Sequence, residues 1–170
     1  LAQRFGRVPV LTREGDDFVS PETRTTIANS NRADIFLCIH INKNPSAVVS
    51  GFEVYVMDYG SVDLPVGYER ISAQSQFLDY AQAKHIRQSE RLALAIVNAC
   101  TASLGEGNCA VRHAPLFTLK GATMPAVHIE LSYASHPLEQ ERIQQQDFQH
   151  KLVGIVTNGI AEFKKAEESL

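Results

Sequence analysis

Ala33-Asp34-Ile35-Phe36-Leu37-Cys38-Ile39-His40-Ile41-Asn42 is an apolar run, entered through Asp34 and left through Asn42, Lys43, Asn44 and Pro45. Short apolar runs rich in β-branched and aromatic residues, bounded by turn formers, read as buried strands. The strand delivers one imidazole, His40, at its carboxyl end. In open α/β sheets ligands bind just beyond the carboxyl ends of the strands, so a polar side chain there is well placed for chemistry. A second such run, Ala126-Val127-His128-Ile129-Glu130-Leu131, delivers a carboxylate in the same way.

The totals frame these two strands. A chain of 170 residues, 44% hydrophobic and 21% charged with a net charge of -3, is the size of one domain and can bury a core without staples. Lys and Arg are dispersed, so no stripe exists to neutralise a phosphate backbone, and nucleic acid is excluded as a partner. No apolar run reaches the roughly 18 residues of a membrane span. The chain carries no signal peptide and does not begin with Met, so a leader removed from it is compatible with the sequence. Cys38, Cys100 and Cys109 are an odd number at wide spacings that match neither a zinc knuckle nor a disulfide framework. Cys38, within an apolar strand, reads as a small core residue.

Along the chain, Leu1 to Gly6 reads as the end of a helix closed by Gly6, and Val8 to Leu11 as a short strand. Ser20-Pro21-Glu22 is a helix start, with a capping hydroxyl, a proline whose missing N–H does no harm and an acid in the first turn, and that helix runs to about Asn31. Gly51 to Val56 alternates as a strand, Met57 to about Gln74 is a loop, and Ser75 to Ser103 is helical. Ala110 to Leu116 and Phe117 to Lys120 are extended pieces before the Glu130 strand. Pro137 to Gln146 is a polar helix, and Asp147 caps a final amphipathic one with Phe148, Leu152, Val153, Val156, Ile160 and Phe163 inward. Alternating strands and helices predict an α/β three-layer sandwich, a mixed, mostly parallel sheet with helices on both faces.

His40 and Glu130 are the residues most suited to chemistry. Asn42, two residues beyond His40, points to the same side and is placed to orient a ligand. A carboxylate inside an apolar strand needs a cation or a cleft, so Glu130 is either functional or salt-bridged to Arg112 or Arg24. His128 shares a strand face with Glu130 and has three readings: metal ligand, hydrogen-bond partner, or inert buried imidazole, the last being the plainest. His113, His136, His85 and His150 fall on turns or polar surfaces. Arg13 and Arg24 read as tethers for loop or helix-end carbonyls, and Glu162 to Glu168 as a solvated helix end. No Gly-x-Ser-x-Gly elbow is present, which argues against an α/β hydrolase with a serine nucleophile.

Taken together the motifs resemble the zinc-dependent N-acetylmuramoyl-L-alanine amidases of the type-3 amidase family. Five pieces match in order: Val10-Leu11-Thr12-Arg13 with Asp17, Arg24 to Asn29, Ala33 to Asn42 with its Ile-His-x-Asn, Gly51-Phe52-Glu53-Val54-Tyr55, and Met124-Pro125-Ala126-Val127-x-Ile129-Glu130-Leu131. The resemblance implies that His40 is a metal ligand for Zn2+ and that Glu130 is the catalytic glutamate. It implies hydrolysis of the amide between N-acetylmuramic acid and L-Ala in peptidoglycan or muropeptides, in the periplasm or at the outer cell surface, with any activator protein unidentified. The family also has a first strand ending in Gly-His-Gly and a helical Glu, both metal ligands, which residues 1–170 do not contain. Two expectations follow: a single catalytic domain, incomplete at its N-terminus relative to the family, or a non-catalytic peptidoglycan-binding or regulatory module on the same fold. His128 stands where the family has Leu or Val, and would replace a lost ligand only if it faced His40.

Overall fold

The computed structural model describes residues 5–6, 8–58 and 81–169. Most of the loop expected over Met57 to Gln74, the start of the helix expected from Ser75, and the opening turn before Phe5 lie outside the described residues. Gly6 is described, and its φ of 63° is the left-handed conformation expected of a helix-closing glycine.

Chain order gives α1 (Pro21–Ser30), β1 (Phe36–Asn42), β2 (Phe52–Met57), α2 (Ile86–Leu104), β3 (Cys109–Ala114), a 3₁₀ turn (Phe117–Leu119), β4 (Ala126–Tyr133), α3 (Pro137–Arg142) and α4 (Gln146–Glu167). The α1 start is as read: Ser20 is the N-cap and its hydroxyl accepts from the Thr23 N–H at 3.2 Å. Among the described residues four strands lie in the order β1-β4-β2-β3. β1 pairs parallel with β4 and β2 parallel with β3, while β2 and β4 run antiparallel, so the sheet is mixed and mostly parallel as expected.

Strand alternation sorts side chains onto two faces. Phe52, Val54, Val56, Val127 and Ile129 point to one face, where α2 and α4 cover them with Leu92, Ile96, Leu152, Ile155, Val156, Ile160 and Phe163. Phe36, Cys38 and Ala126 point to the other, under α1 and the 3₁₀ turn, with Ala28, Leu119, Ala122 and Met124. On this second face the residues further along β1 and β4 are polar. The apolar packing therefore ends where His40 and Glu130 begin.

Several local expectations are corrected. Residues 8–11 are irregular and exposed rather than a strand, since no described strand lies alongside to satisfy their backbone. Residues 117–119 turn instead of extending, because the Leu119 and Lys120 N–H groups donate back to Leu116 and Phe117 and bury Leu119. The helix expected from Ser75 is interrupted at 84–85 before α2. Gln145, not Asp147, is the N-cap of α4, and Asp147 sits in its first turn; Val153 faces solvent at 60% exposure. Glu167, expected to be solvated, pairs with Arg91 at 2.7 Å. Cys100 and Cys109 form a disulfide across the α2–β3 connection, which wide spacing alone did not suggest. The helix end and the strand start bring their Cα atoms to 6.1 Å.

Gly159 of α4 packs tightly against α2, where an added Cβ would lie 2.5 Å from the Ile96 Cα. The obstacle is backbone and cannot swing away. Gly159→Ala is therefore expected to lower stability by about 1–3 kcal/mol, measured by urea unfolding. The double variant Cys100→Ser/Cys109→Ser is expected to lose about 2–3 kcal/mol in the same assay, from the freed unfolded chain.

Candidate functional site

The parallel pairing of β1 and β4 sets Cys38 opposite His128 and His40 opposite Glu130. On its other edge β4 meets β2, where Tyr55 is opposite His128 and Glu53 opposite Glu130. Arg112 on β3 is opposite Tyr55. All of these residues share one face, so the sheet carries two neighbouring polar rows: His40, Glu130, Glu53, and Cys38, His128, Tyr55, Arg112.

Hydrogen bonds divide the rows into two clusters. In the first, His128 is central: its Nε2 lies 2.9 Å from Glu130 Oε1 and its Nδ1 lies 3.0 Å from Thr118 Oγ1. An ionised carboxylate only accepts, so Nε2–H donates to Glu130 and Nδ1 accepts from the Thr118 hydroxyl. Glu130 is 9% exposed, and its Oε2 is buried with no hydrogen-bond partner among the described residues. The His40 and His128 rings stack, with centroids 4.4 Å apart and planes 17° from parallel. Cys38 Sγ lies 3.6 Å from the Thr118 carbonyl oxygen, and burial pushes its thiol up to about 11.

In the second cluster Glu53 accepts from the hydroxyls of Tyr55 and Tyr133, each at 2.7 Å, and from Arg112 Nε at 3.1 Å. Burial alone would raise the Glu53 carboxyl, but the bonds from Tyr133, Tyr55 and Arg112 outweigh it and hold the group below its ordinary value. The same burial and the bond to Glu53 push Tyr55 up to about 12 and Tyr133 higher still. The salt bridge weighed for Glu130 is thus not formed. Arg112 is taken by Glu53, and Arg24 Nε donates to the Val19 carbonyl at 2.9 Å. Arg13 donates to the Asp17 carbonyl at 3.3 Å, so both arginines act as the tethers the sequence suggested.

His40 is exposed on the solvent side of this face. Its pKa is lowered, first by partial desolvation of the ring and then by His128, with Glu130 opposing. The neutral ring keeps a lone pair for a ligand. Asn42 is spent locally, its Oδ1 accepting from the Lys43 N–H at 2.8 Å. Elsewhere the frame is held by side chains to which the sequence reading gave no role of their own. Glu139 accepts from the Gly51 and Tyr133 N–H groups at 2.8 and 2.7 Å and from the Ser132 hydroxyl at 3.1 Å, tying α3 to β2 and β4. Asn29 bonds Gly121 and Thr123 and fixes the approach to β4. The acid following an N-terminal proline of a helix was the available signal for Glu139.

Zinc takes nitrogen and sulfur ligands. Cys38, His40 and His128 offer one thiol and two imidazoles whose ligating atoms all lie within 4.8 Å of one another. The donor chemistry fits such an ion. His128, read most plainly as inert, instead faces His40 and orients Glu130.

The family model described as N-acetylmuramoyl-L-alanine amidase matches residues 2–162. The amidase LytC of Bacillus subtilis strain 168 is 27% identical over 158 residues, covering 93% of this chain and 27% of that protein. The uncharacterized protein YqiI of the same strain is 26% identical over 155 residues, covering 91% and 63%. Among solved structures, the amidase AmiC2 of Nostoc punctiforme superposes with a TM-score of 0.71 at 23% identity, covering 96% of this chain and 76% of that one. An amidase from Clostridium difficile 630 gives a TM-score of 0.71 at 20% identity, covering 96% and 77%. The chain spans between 27% and 63% of the length of the first two curated relatives.

The Glu53 cluster yields a pH test. A carboxyl whose folded pKa is lowered contributes stability above its unfolded value of about 4.3, and loses it as pH falls through the folded one. Glu53→Gln is expected to cost about 1–3 kcal/mol at pH 7, and the deficit against wild type is expected to shrink in urea unfolding below pH 4.

Proposed function

We propose, from the premise that the chain belongs to the N-acetylmuramoyl-L-alanine amidase family, that it hydrolyses the amide joining N-acetylmuramic acid to L-Ala in bacterial peptidoglycan. The observation that carries this reading is the pairing of His40 with Glu130 at the carboxyl ends of two adjacent parallel strands, with one Glu130 oxygen bound and the other unpartnered. His40 is the family-type ligand of a zinc ion. Zinc would supply a Lewis acid for the amide carbonyl and lower the pKa of water toward about 7.

The chain's own groups divide the remaining work. Glu130 Oε1 is fixed by His128, which leaves Oε2 to take a proton from the attacking water and pass it to the departing amine of L-Ala. Thr118 holds the far side of the His128 ring, so the carboxylate is oriented through two successive hydrogen bonds. The exposure of His40 leaves this end of the sheet open to an extended substrate such as a glycan strand with its peptide.

The substrate places the reaction in the periplasm or at the outer cell surface. The Cys100–Cys109 disulfide supports that location, because disulfides persist in oxidising compartments. Among the described residues no helix is long and apolar enough to cross a membrane.

Glu130→Gln keeps the shape and the partner of Oε1 but cannot take the proton. It is expected to retain bound metal while release of muramoyl-linked peptides from peptidoglycan falls by about 10²–10⁴-fold. Turnover at the wild-type rate contradicts the role given to Glu130.

A further inference from the structure

We infer that Arg112 is a specificity-determining residue of this site: its guanidinium, set in place by Glu53, receives a free carboxylate of the substrate's peptide, within the second or third residue beyond the amide that is cut. The inference rests on the reading of Glu130 as the group that serves that amide. It deepens that reading by naming what the peptide must carry.

The position follows from strand register. Glu130 on β4 is opposite Glu53 on β2, and Arg112 on β3 is opposite Tyr55, two residues further along β2 on the same face. Arg112 leans back along the sheet, because its Nε donates to Glu53 Oε1 at 3.1 Å. Its head therefore extends the row His40, Glu130, Glu53 by one more strand. With β2 between β4 and β3, two strand spacings of about 4.8 Å put the guanidinium roughly 10 Å from Glu130. An extended peptide advances about 3.3 Å per residue, so one that starts at Glu130 and crosses β2 comes level with Arg112 at its second or third residue.

The donors at that point suit a carboxylate. The Glu53 side chain is 12% exposed and that of Arg112 56%, so a largely buried acceptor holds an outward cation. Among the described residues Nε is the one guanidinium nitrogen with a hydrogen bond, which leaves both terminal nitrogens for a partner. A guanidinium presents its donors in a planar fork that matches a carboxylate. Glu53 spreads its charge over two tyrosine hydroxyls as well as Nε, so it anchors the cation without using up the fork. An arginine already oriented in this way gives up less freedom when it binds. The peptide of peptidoglycan carries free carboxylates beyond its first residue, where this reach falls.

Calorimetric titration of the purified 170-residue chain, with its disulfide intact, tests the assignment. The probes are the free stem tripeptide with its carboxylates and the same tripeptide with those groups converted to carboxamides. Neither contains the bond to N-acetylmuramic acid, so binding is read apart from turnover. Wild type is expected to prefer the carboxylate form by at least about tenfold. Arg112→Gln is expected to bind both forms alike, with its affinity for the carboxamide form unchanged from wild type. Arg112→Lys, which keeps the charge without the fork, is expected to fall between the two. Circular dichroism verifies the fold of both variants. Absence of binding, no preference in wild type, or a preference that survives in Arg112→Gln overturns the assignment. Equal weakening of both forms in Arg112→Gln marks a merely structural arginine and overturns it too. Release of peptides from peptidoglycan without this preference leaves the hydrolytic reading standing, whereas the preference without release upholds Arg112 and overturns hydrolysis.

Discussion

The parallel register of β1 on β4 is the constraint from which the rest of the site follows. Strand side chains alternate, so a slip of one residue would turn His128 and Glu130 into the α2–α4 core and expose Val127 and Ile129. That exchange is blocked from both sides: it would bury a carboxylate and an imidazole among Ile96, Leu152 and Ile155, and it would uncover two fully buried aliphatic side chains. The apolar core on one face therefore fixes the polar chemistry on the other.

That polar face allocates its charges unevenly. Glu53 and Glu130 stand opposite each other on adjacent strands, yet their partners differ. Glu53 is closed in by two tyrosine hydroxyls and an arginine, so both its oxygens are committed. Glu130 receives one imidazole and keeps an oxygen in reserve. A cation taken by Glu53 is a cation withheld from Glu130, and this separates a structural carboxylate from one available for proton transfer. The extra residue of β4 between Glu130 and Tyr133, opposite His40 to Asn42, contributes to this division by bringing Tyr133 within reach of Glu53.

The parts of this arrangement legible in the sequence were those with local signatures. The His40 and Glu130 strands showed in their apolar runs, α1 in its Ser20-Pro21-Glu22 start, and the mixed sheet in the alternation of elements. His40 and Glu130 were singled out by their positions at strand ends, and the structure pairs them. What stayed hidden depends on pairing between distant segments. Nothing in the sequence near His128 announces the ring of His40, because that contact exists only through the β1–β4 register. Arg112 is, from the sequence, a candidate partner for Glu130, and the strand order β1-β4-β2-β3 puts Glu53 nearer to it. Cys100 and Cys109 looked unpaired because spacing rules describe frameworks of several bridges, whereas here a helix end and the following strand bring two cysteines together. The 3₁₀ turn at 117–119 was read as extended for the same reason: its hydrogen bonds serve to bury Leu119, which only the packed face requires.

The zinc content of the purified chain, measured by elemental analysis after dialysis against a weak chelator, tests the central claim most directly. The account predicts that zinc binding is weakened by at least about tenfold on replacing His40 by Ala, because His40 at the carboxyl end of β1 is one of its ligands. Zinc retained equally by wild type and His40→Ala would contradict it.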